Sequence, residues 1–387
     1  MLIISYDAVG DSEFEHLTEY PAFSAFAEQS AVYRGVPSLF LSNTYPIHTS
    51  VVTGVPPGVH GVITNTAPSP SPHPAWNNGE SAIRVQTLWQ AAARRGVKTA
   101  AVFWPVTARS GTIRYNIPEV IAPPGKNQLV TSLKAGSKLL QLMLFIKHHK
   151  QLAGIRQPAI DQFATSCMAD ILRKYKPGLA LIHLTAYDML CHEEGKGGAA
   201  IKAAFESLDR SLAVLLDAAG EDRDVILFSD HGQFDVHTVV DPNGLLAEAG
   251  LINMIDGAYI TGEHGCFVDC CGGSAFFCRG DLNDEQVGVI RAAVERGEGF
   301  RRFLTPEEME ESGWAGSGVP FGFCAKTGYC YGIPGAAYRA NHGYPLDMPD
   351  YKVFYMARGR GIKPGCETGG SLLDITPFAA GRLGITL

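Results

Sequence analysis

Asp224-Val225-Ile226-Leu227-Phe228-Ser229-Asp230-His231-Gly232 decides how this chain folds. Val225 to Ser229 is short, mostly apolar and rich in strand formers, so it reads as a strand buried on both faces. The run stops at a carboxylate, an imidazole and a glycine. Asp230 and His231 therefore arrive together at the carboxyl end of a buried strand, and Gly232 lets the chain turn away. The same grammar recurs. Residues 2–6 end at Asp7, 98–104 follow a helix-like segment and Gly96, 179–184 run toward Asp188, and 353–357 end at Arg358. Helical spacing fills the gaps. Ile201, Phe205, Leu208, Leu212, Leu215 and Leu216 mark a helix over 199–219 that Gly220 stops, and 85–95, 128–152, 159–175 and 284–296 read as further helices. Strands alternating with helices predict an α/β fold with a central, mostly parallel sheet and helices on both faces. Chemistry in such folds gathers beyond the carboxyl ends of the strands, where Asp7, Asp188 and Asp230 all fall.

A second stretch, Ser42-Asn43-Thr44-Tyr45-Pro46-Ile47-His48-Thr49-Ser50, places Thr44 in a loop leading into a small-residue helix. Asp188 and His192 are four residues apart and share one side of a helical turn. His342 lies in the turn Asn341-His342-Gly343. Each feature alone has a plainer reading: a helix cap for Asp7, a surface pair for Asp188 and His192, an Asp-His turn with a partly exposed histidine for Asp230 and His231, a structural histidine for His342. Together, three Asp and three His can hold two divalent metals with Thr44 as nucleophile between them, the parts needed for metal-assisted phosphoryl transfer.

Composition narrows the class. With 387 residues, 46% hydrophobic and 18% charged, the chain is a well-buried globular protein. The formal charge of −7 argues against binding a nucleic-acid duplex. The nine cysteines are odd in number and lack paired C-x-x-C spacing, so they are expected to be reduced thiols. Cys266, Cys270, Cys271 and Cys278 fall in a strand-like alternation that suits a zinc site badly. The first residues lack a basic n-region, and the apolar run 139–146 is too short to span a membrane, so a cytoplasmic protein with no membrane partner is expected. That run is expected to pack in the core. Residues 64–84, rich in Pro, Ser, Asn and Gly, read as a loop over the site. One catalytic domain over 1–387, with insertions near 123–160 and 282–335, is expected. Oligomeric state is left open.

At this point the chain resembles the nucleotide pyrophosphatase/phosphodiesterase branch of the alkaline phosphatase superfamily. The motifs stand in order: Ile4-Ser5-Tyr6-Asp7, Thr44-Tyr45-Pro46 through Val52-Thr53-Gly54, His60-Gly61 to Asn65, Phe103-Trp104-Pro105, Asp188-x-x-x-His192, Ser229 to Gly232, His342-Gly343-Tyr344, and Leu373 to Pro377. The resemblance implies an alkaline phosphatase-like fold with a small inserted subdomain. It also implies two zinc ions, with manganese as the alternative. Asp188, His192 and His342 would hold one; Asp7, Asp230 and His231 would hold the other, with Thr44 Oγ bound beside it. Thr44 would attack phosphorus and form a covalent phospho-threonine that water hydrolyses. Asn65 and the Thr44 backbone N–H would donate to a phosphoryl oxygen. Tyr45 would stack on the base or aryl group of a small phosphodiester or nucleotide, with Trp104 or Tyr115 as the other wall. Ile47, Tyr187 and Cys191 depart from the family's common Asn, Pro and Gly, which leaves the leaving group open.

The same parts serve other chemistry. A phosphomonoesterase would need a further cation for the third phosphoryl oxygen, and no Arg lies beside Thr44. A phosphonoacetate-type C–P hydrolase would need a cation for its carboxylate, with Lys126, Lys134 and Lys138 as candidates. A non-catalytic binding protein would not need the complete ligand set. The resemblance favours a phosphodiesterase.

Overall fold

Along Leu2–Tyr6 the side chains alternate between two apolar clusters, with Leu2, Ile4 and Tyr6 in one and Ile3 in the other. A strand buried on both faces needs covered neighbours on each side, and this one lies inside an eight-stranded sheet. The computed structural model describes all residues except 72, 153, 155 and 334. The sheet runs in the order Gly365–Thr368, Ala31–Pro37, Lys352–Arg358, Val225–Ser229, Leu2–Tyr6, Leu179–Leu184, Thr99–Val102, Tyr115–Ile117. Helices Ala159–Tyr175, Ala186–Glu194 and Ile201–Ala219 cover the first cluster; Thr44–Thr53, Leu88–Arg94 and Ile375–Leu383 cover the second.

Two elements differ from expectation. Lys352–Arg358 is antiparallel to both neighbours. Its Lys352 pairs with Pro37, so the chain enters at the carboxyl edge of the parallel strands without a helical crossover. The helix expected over 128–152 is two helices, Gln128–Ala135 and Lys138–His148. Gly136 is extended between them, and a Cβ there would lie 2.5 Å from the Asn116 carbonyl oxygen and from Pro118.

A four-stranded antiparallel sheet, Phe267–Cys271, Ser274–Cys278, Phe321–Ala325 and Phe300–Phe303, packs with helix Asp284–Glu295 around its own core of Val268, Phe277, Val287 and Phe323. The nine cysteines are free thiols, four of them on or beside the first hairpin of this sheet. A three-stranded sheet matters most for the site. Phe234–Val240 starts just after Gly232, and Ala340–Asn341 pairs antiparallel with its first residues, Asn341 opposite Phe234. That register brings His342 beside His231, with ring centroids 4.1 Å apart. Among the described residues, no helix is long and apolar enough to cross a membrane.

Candidate active site

Adjacent parallel strands deliver the first group of candidate ligands. Leu2–Tyr6 ends at Asp7, and Val225–Ser229, paired to it in register, ends at Asp230 and His231. Each carboxylate is fixed through one oxygen and presents the other. Asp7 Oδ2 faces His183 Nε2 at 3.0 Å, leaving Oδ1; Asp230 Oδ1 accepts from the Ala8 and His231 N–H groups at 3.0 and 2.9 Å, leaving Oδ2. The two remaining oxygens are sealed from solvent and accept no hydrogen bond. Both lie 3.4 Å from His231 Nε2. His231 Nδ1 faces the Gly232 carbonyl, so its proton belongs on Nδ1 and Nε2 carries a lone pair. Burial keeps this ring neutral, pushing its pKa down to about 4. Three electron-pair donors thus converge with nothing between them. Burial and the charges of Asp230 and Asp188 push the Asp7 carboxyl well above its usual range, and burial raises Asp230 to about 6. A cation at this point would satisfy both orphaned oxygens.

The second group comes from a helix and a turn. Asp161 on a neighbouring helix accepts from the Thr185 and Ala186 N–H groups, which fixes where helix Ala186–Glu194 begins. One turn on, Asp188 and His192 face the same way, with Asp188 Oδ1 and His192 Nε2 3.3 Å apart. His192 Nδ1 donates to the Ala340 carbonyl at 2.8 Å. His342 Nδ1 donates to Asn43 Oδ1 at 2.9 Å, again leaving Nε2 inward. In each triad the ligand atoms lie within 4.8 Å of one another. Burial opposes ionised Asp188, but His192 overrides it and holds the carboxyl below its usual range; the same pair raises His192 against its own burial. Burial, then His231, pushes His342 down to about 3. Nitrogen and carboxylate donors in two triads fit borderline divalent ions such as zinc.

Thr44 opens helix Thr44–Thr53, and its Oγ1 lies 3.3 Å from His231 Nε2. Its backbone N–H donates to no group among the described residues, as expected of the first turn of a helix. Asn65 Oδ1 accepts from the Tyr45 N–H at 2.9 Å, which leaves the Asn65 amide protons as free donors beside the same helix end. Two donors at a helix N-terminus are a ready anion site. The helix is held from below by His48, whose Nδ1 faces the Thr44 carbonyl and whose Nε2 faces Ser5 Oγ, both at 2.8 Å.

The aromatic residues expected to line the substrate do not stand open. Tyr45 is 1% exposed; its ring meets Trp76 at 5.4 Å, and its hydroxyl donates to Glu119. Trp104 is fully buried against His48 and Phe228, so it is a core residue and not a pocket wall. Tyr115 stacks on Tyr175 at 4.5 Å on the edge strand. Trp76 brings the 64–84 stretch against Tyr45, and the stretch is pinned by the Thr66–Trp76 bridge and by Asn77 donating to the Asn65 and Thr64 carbonyls.

Four residues that support the site were not singled out from the sequence. His183 links Asp7 to Glu119 through its two nitrogens, at 3.0 and 2.9 Å. Gln233 donates to Asp188 Oδ1, and Asn43 orients His342. Their only sequence signal is polarity, for example a histidine inside the otherwise apolar Leu179–Leu184.

Residues 1–286 match the family described as type I phosphodiesterase / nucleotide pyrophosphatase. Mouse ectonucleotide pyrophosphatase/phosphodiesterase family member 3 is 22% identical over 217 residues, spanning 50% of this chain but 20% of that relative. Murine ectonucleotide pyrophosphatase/phosphodiesterase 5 superposes with a TM-score of 0.71 at 15% identity over 100% of this chain and 95% of that one. Its inactive variant, solved in complex with AMP, gives the same values. The human protein of that name gives 0.69 at 16% identity, with the same coverage. These likenesses establish the alkaline phosphatase-like α/β fold. The match over 1–286 goes further: the chain belongs to the type I phosphodiesterase/nucleotide pyrophosphatase family, a family of hydrolases.

Proposed function

We propose that this protein is a metal-dependent phosphodiesterase of small nucleotide-type substrates, with Thr44 as nucleophile. The observation that carries this reading is the position of Thr44 Oγ1, 3.3 Å from His231 Nε2 where the two triads abut. Asp7, Asp230 and His231 would hold one zinc, and Asp188, His192 and His342 the other. Bound there, such ions supply charge for the phosphoryl oxygens and lower the pKa of a nearby hydroxyl or water. Thr44 Oγ would form a bond to phosphorus as the bond to the leaving oxygen breaks; the phospho-threonine still carries the retained nucleoside ester, and the leaving alcohol or phosphate takes up the proton that Thr44 gives up. Water cleaves the phospho-threonine in a second displacement and regenerates the hydroxyl. The Thr44 N–H and the Asn65 amide donate to a non-bridging oxygen, where charge develops.

The AMP complex of the murine protein supports a nucleoside monophosphate group as the part retained. In this chain Trp76 covers Tyr45, so the 64–84 loop shifts before Tyr45 can stack on a base. No observation favours the phosphonoacetate or monoester alternatives; Lys126 and Lys134 line a cleft with Asn78 and Arg109, and no triad ligand shares it. The free thiols support a reducing, cytoplasmic setting.

The test compares zinc-loaded protein on an aryl nucleotide diester, an aryl phosphate monoester and phosphonoacetate. A dominant diester rate that vanishes in Thr44→Ala is expected. A dominant phosphonoacetate rate would overturn the substrate class. A diester rate retained in Thr44→Ala would overturn the nucleophile.

A further inference from the structure

The chain carries a net charge of −7, yet residues 120–160 contain Lys126, Lys134, Lys138, Lys147, Lys150 and Arg156 and not one Asp or Glu. This segment leaves the edge strand Tyr115–Ile117 just past Glu119, the residue that touches His183 and Tyr45. Its 139–146 run was expected to pack in the core. Only one side of it does so: Leu140 and Leu144 are buried in the main cluster. Leu139, Leu142, Met143 and Ile146 are 77, 43, 49 and 64% exposed. Their spacing of three, four and seven residues puts them on a single outward stripe of helix Lys138–His148. Single exposed apolar residues are ordinary, whereas an aligned stripe marks a contact surface.

The charges around this stripe are largely uncompensated. Lys147 is held by Asp170 at 2.6 Å, while Lys126, Lys134, Lys138, Lys150 and Arg156 form no ion pair among the described residues. Arg109, Lys126 and Lys134 also line a cleft of about 280 Å³ that contains no carboxylate. Helix Gln128–Ala135, which lines the cleft, packs against helix Lys138–His148, so the cationic cleft and the apolar stripe belong to neighbouring helices and match one kind of partner.

We propose that helices Gln128–Ala135 and Lys138–His148, with the cleft beside the first of them, dock on an anionic lipid bilayer. Leu139, Leu142, Met143 and Ile146 would enter the boundary between headgroups and acyl chains, the lysines would pair with headgroup phosphates, and the cleft would take one such phosphate. A second copy fits less well, because a two-fold contact would set this carboxylate-free segment against itself. Single-stranded RNA fits less well too, since the stripe is aliphatic and offers no aromatic platform for stacking bases. This interfacial contact amends the expectation of no membrane partner, and it does not depend on the reading of the catalytic site.

The test is co-sedimentation of the zinc-loaded full chain with phosphatidylcholine vesicles, with and without phosphatidylserine. Binding to the anionic vesicles that weakens with salt is expected. Leu139→Glu/Ile146→Glu and Lys134→Glu/Lys138→Glu should each reduce it by on the order of tenfold or more. Both variants keep the circular dichroism spectrum and melting temperature of the wild type, which checks that they fold. Four results would overturn the proposal: equal binding to both vesicle types, no binding, loss in neither variant, or a stripe-dependent dimer or RNA complex in place of vesicle binding.

Discussion

Asp7, Asp230 and His231 grow from the ends of central strands, whereas Asp188, His192 and His342 come from a nine-residue helix and a turn, and the two groups differ in how they manage charge. In the strand-end triad the two carboxylates face one neutral imidazole, and an oxygen of each is sealed away without a donor. In the helix triad the single carboxylate already has His192, and Gln233 donates to the same oxygen. The first group is electrostatically incomplete until a cation arrives; the second is compensated by its own residues. Rigid strand ends can hold like charges together because the sheet prevents them from separating. A helix and a turn could relax such repulsion, and here there is little to relax.

The sharpest way to break this contrast is through Thr44, which touches the strand-end triad alone. Thr44→Ala should lower turnover by roughly 10³-fold or more while metal content stays unchanged. If the variant loses a metal, Thr44 is chiefly a ligand and the incomplete triad is larger than described. Next in size are the ligands themselves. Asp230→Asn and His342→Ala should each lose about one metal per chain by elemental analysis, the first from the strand-end triad and the second from the helix triad. The residual ion should differ in its pH dependence. Asp7 and Asp230 are both raised, Asp230 to about 6, so a strand-end metal must displace protons from both carboxyls and weakens as pH falls toward and through about 6. Asp188 stays ionised there, and the proton to be displaced sits on His192. Identical proton release by both variants in calorimetry would erase the distinction.

Stability of the metal-free protein gives a smaller effect of opposite sign. Asp230 has a folded pKa above its unfolded one, so the folded state binds this proton more tightly. The cost of ionising it is absent at low pH and complete above about 6. Asp230→Asn removes that cost and can donate an N–H toward His231 Nε2. In chelator the variant should therefore be more stable than wild type by on the order of 2 kcal/mol at pH 8, with the gap closing as pH falls through about 6. A destabilised variant at pH 8 would show that burial does not penalise the ionised Asp230 carboxylate.

Much of this was legible because strand-end chemistry is local. A short apolar run followed by Asp or Asp-His announces both the strand and the ligand, and the pairing of Asp188 with His192 follows from helical spacing. The resemblance joined these pieces into two triads. What escaped depends on contacts distant in sequence. His183 sits within an apolar strand, and nothing nearby indicates that Asp7, 176 residues away, takes its Nε2. The resemblance puts Trp104 at a pocket wall, whereas it turns beneath His48 into the core. The 139–146 run was read as core because hydrophobicity alone does not say which side of a helix has a partner. Antiparallel entry of Lys352–Arg358 likewise depends on the path of the preceding hundred-odd residues, not on the strand itself.

The residues hidden from the sequence also supply the subtlest test, because they connect the strand-end triad to the substrate side. Tyr45 donates to one oxygen of Glu119 at 3.2 Å, the other oxygen faces His183 Nδ1 at 2.9 Å, and His183 Nε2 holds Asp7. Burial opposes a charge on His183, yet Asp7 and Glu119 raise its pKa well above the usual value, so the ring donates from both nitrogens. Glu119→Gln removes one of these anions while keeping its shape. His183 then grips Asp7 less firmly, and zinc affinity of the strand-end triad should fall by about tenfold, the low end for residues that orient a ligand. The helix triad has no contact with this chain of bonds and should keep its affinity. Tyr45 loses part of its anchor in the same variant, so KM for a nucleotide diester should change along with the metal titration. Equal weakening of both metals would mean that Glu119 supports the fold in general. Weakening confined to the strand-end metal would show that the incomplete triad is held in place by a residue that also touches Tyr45.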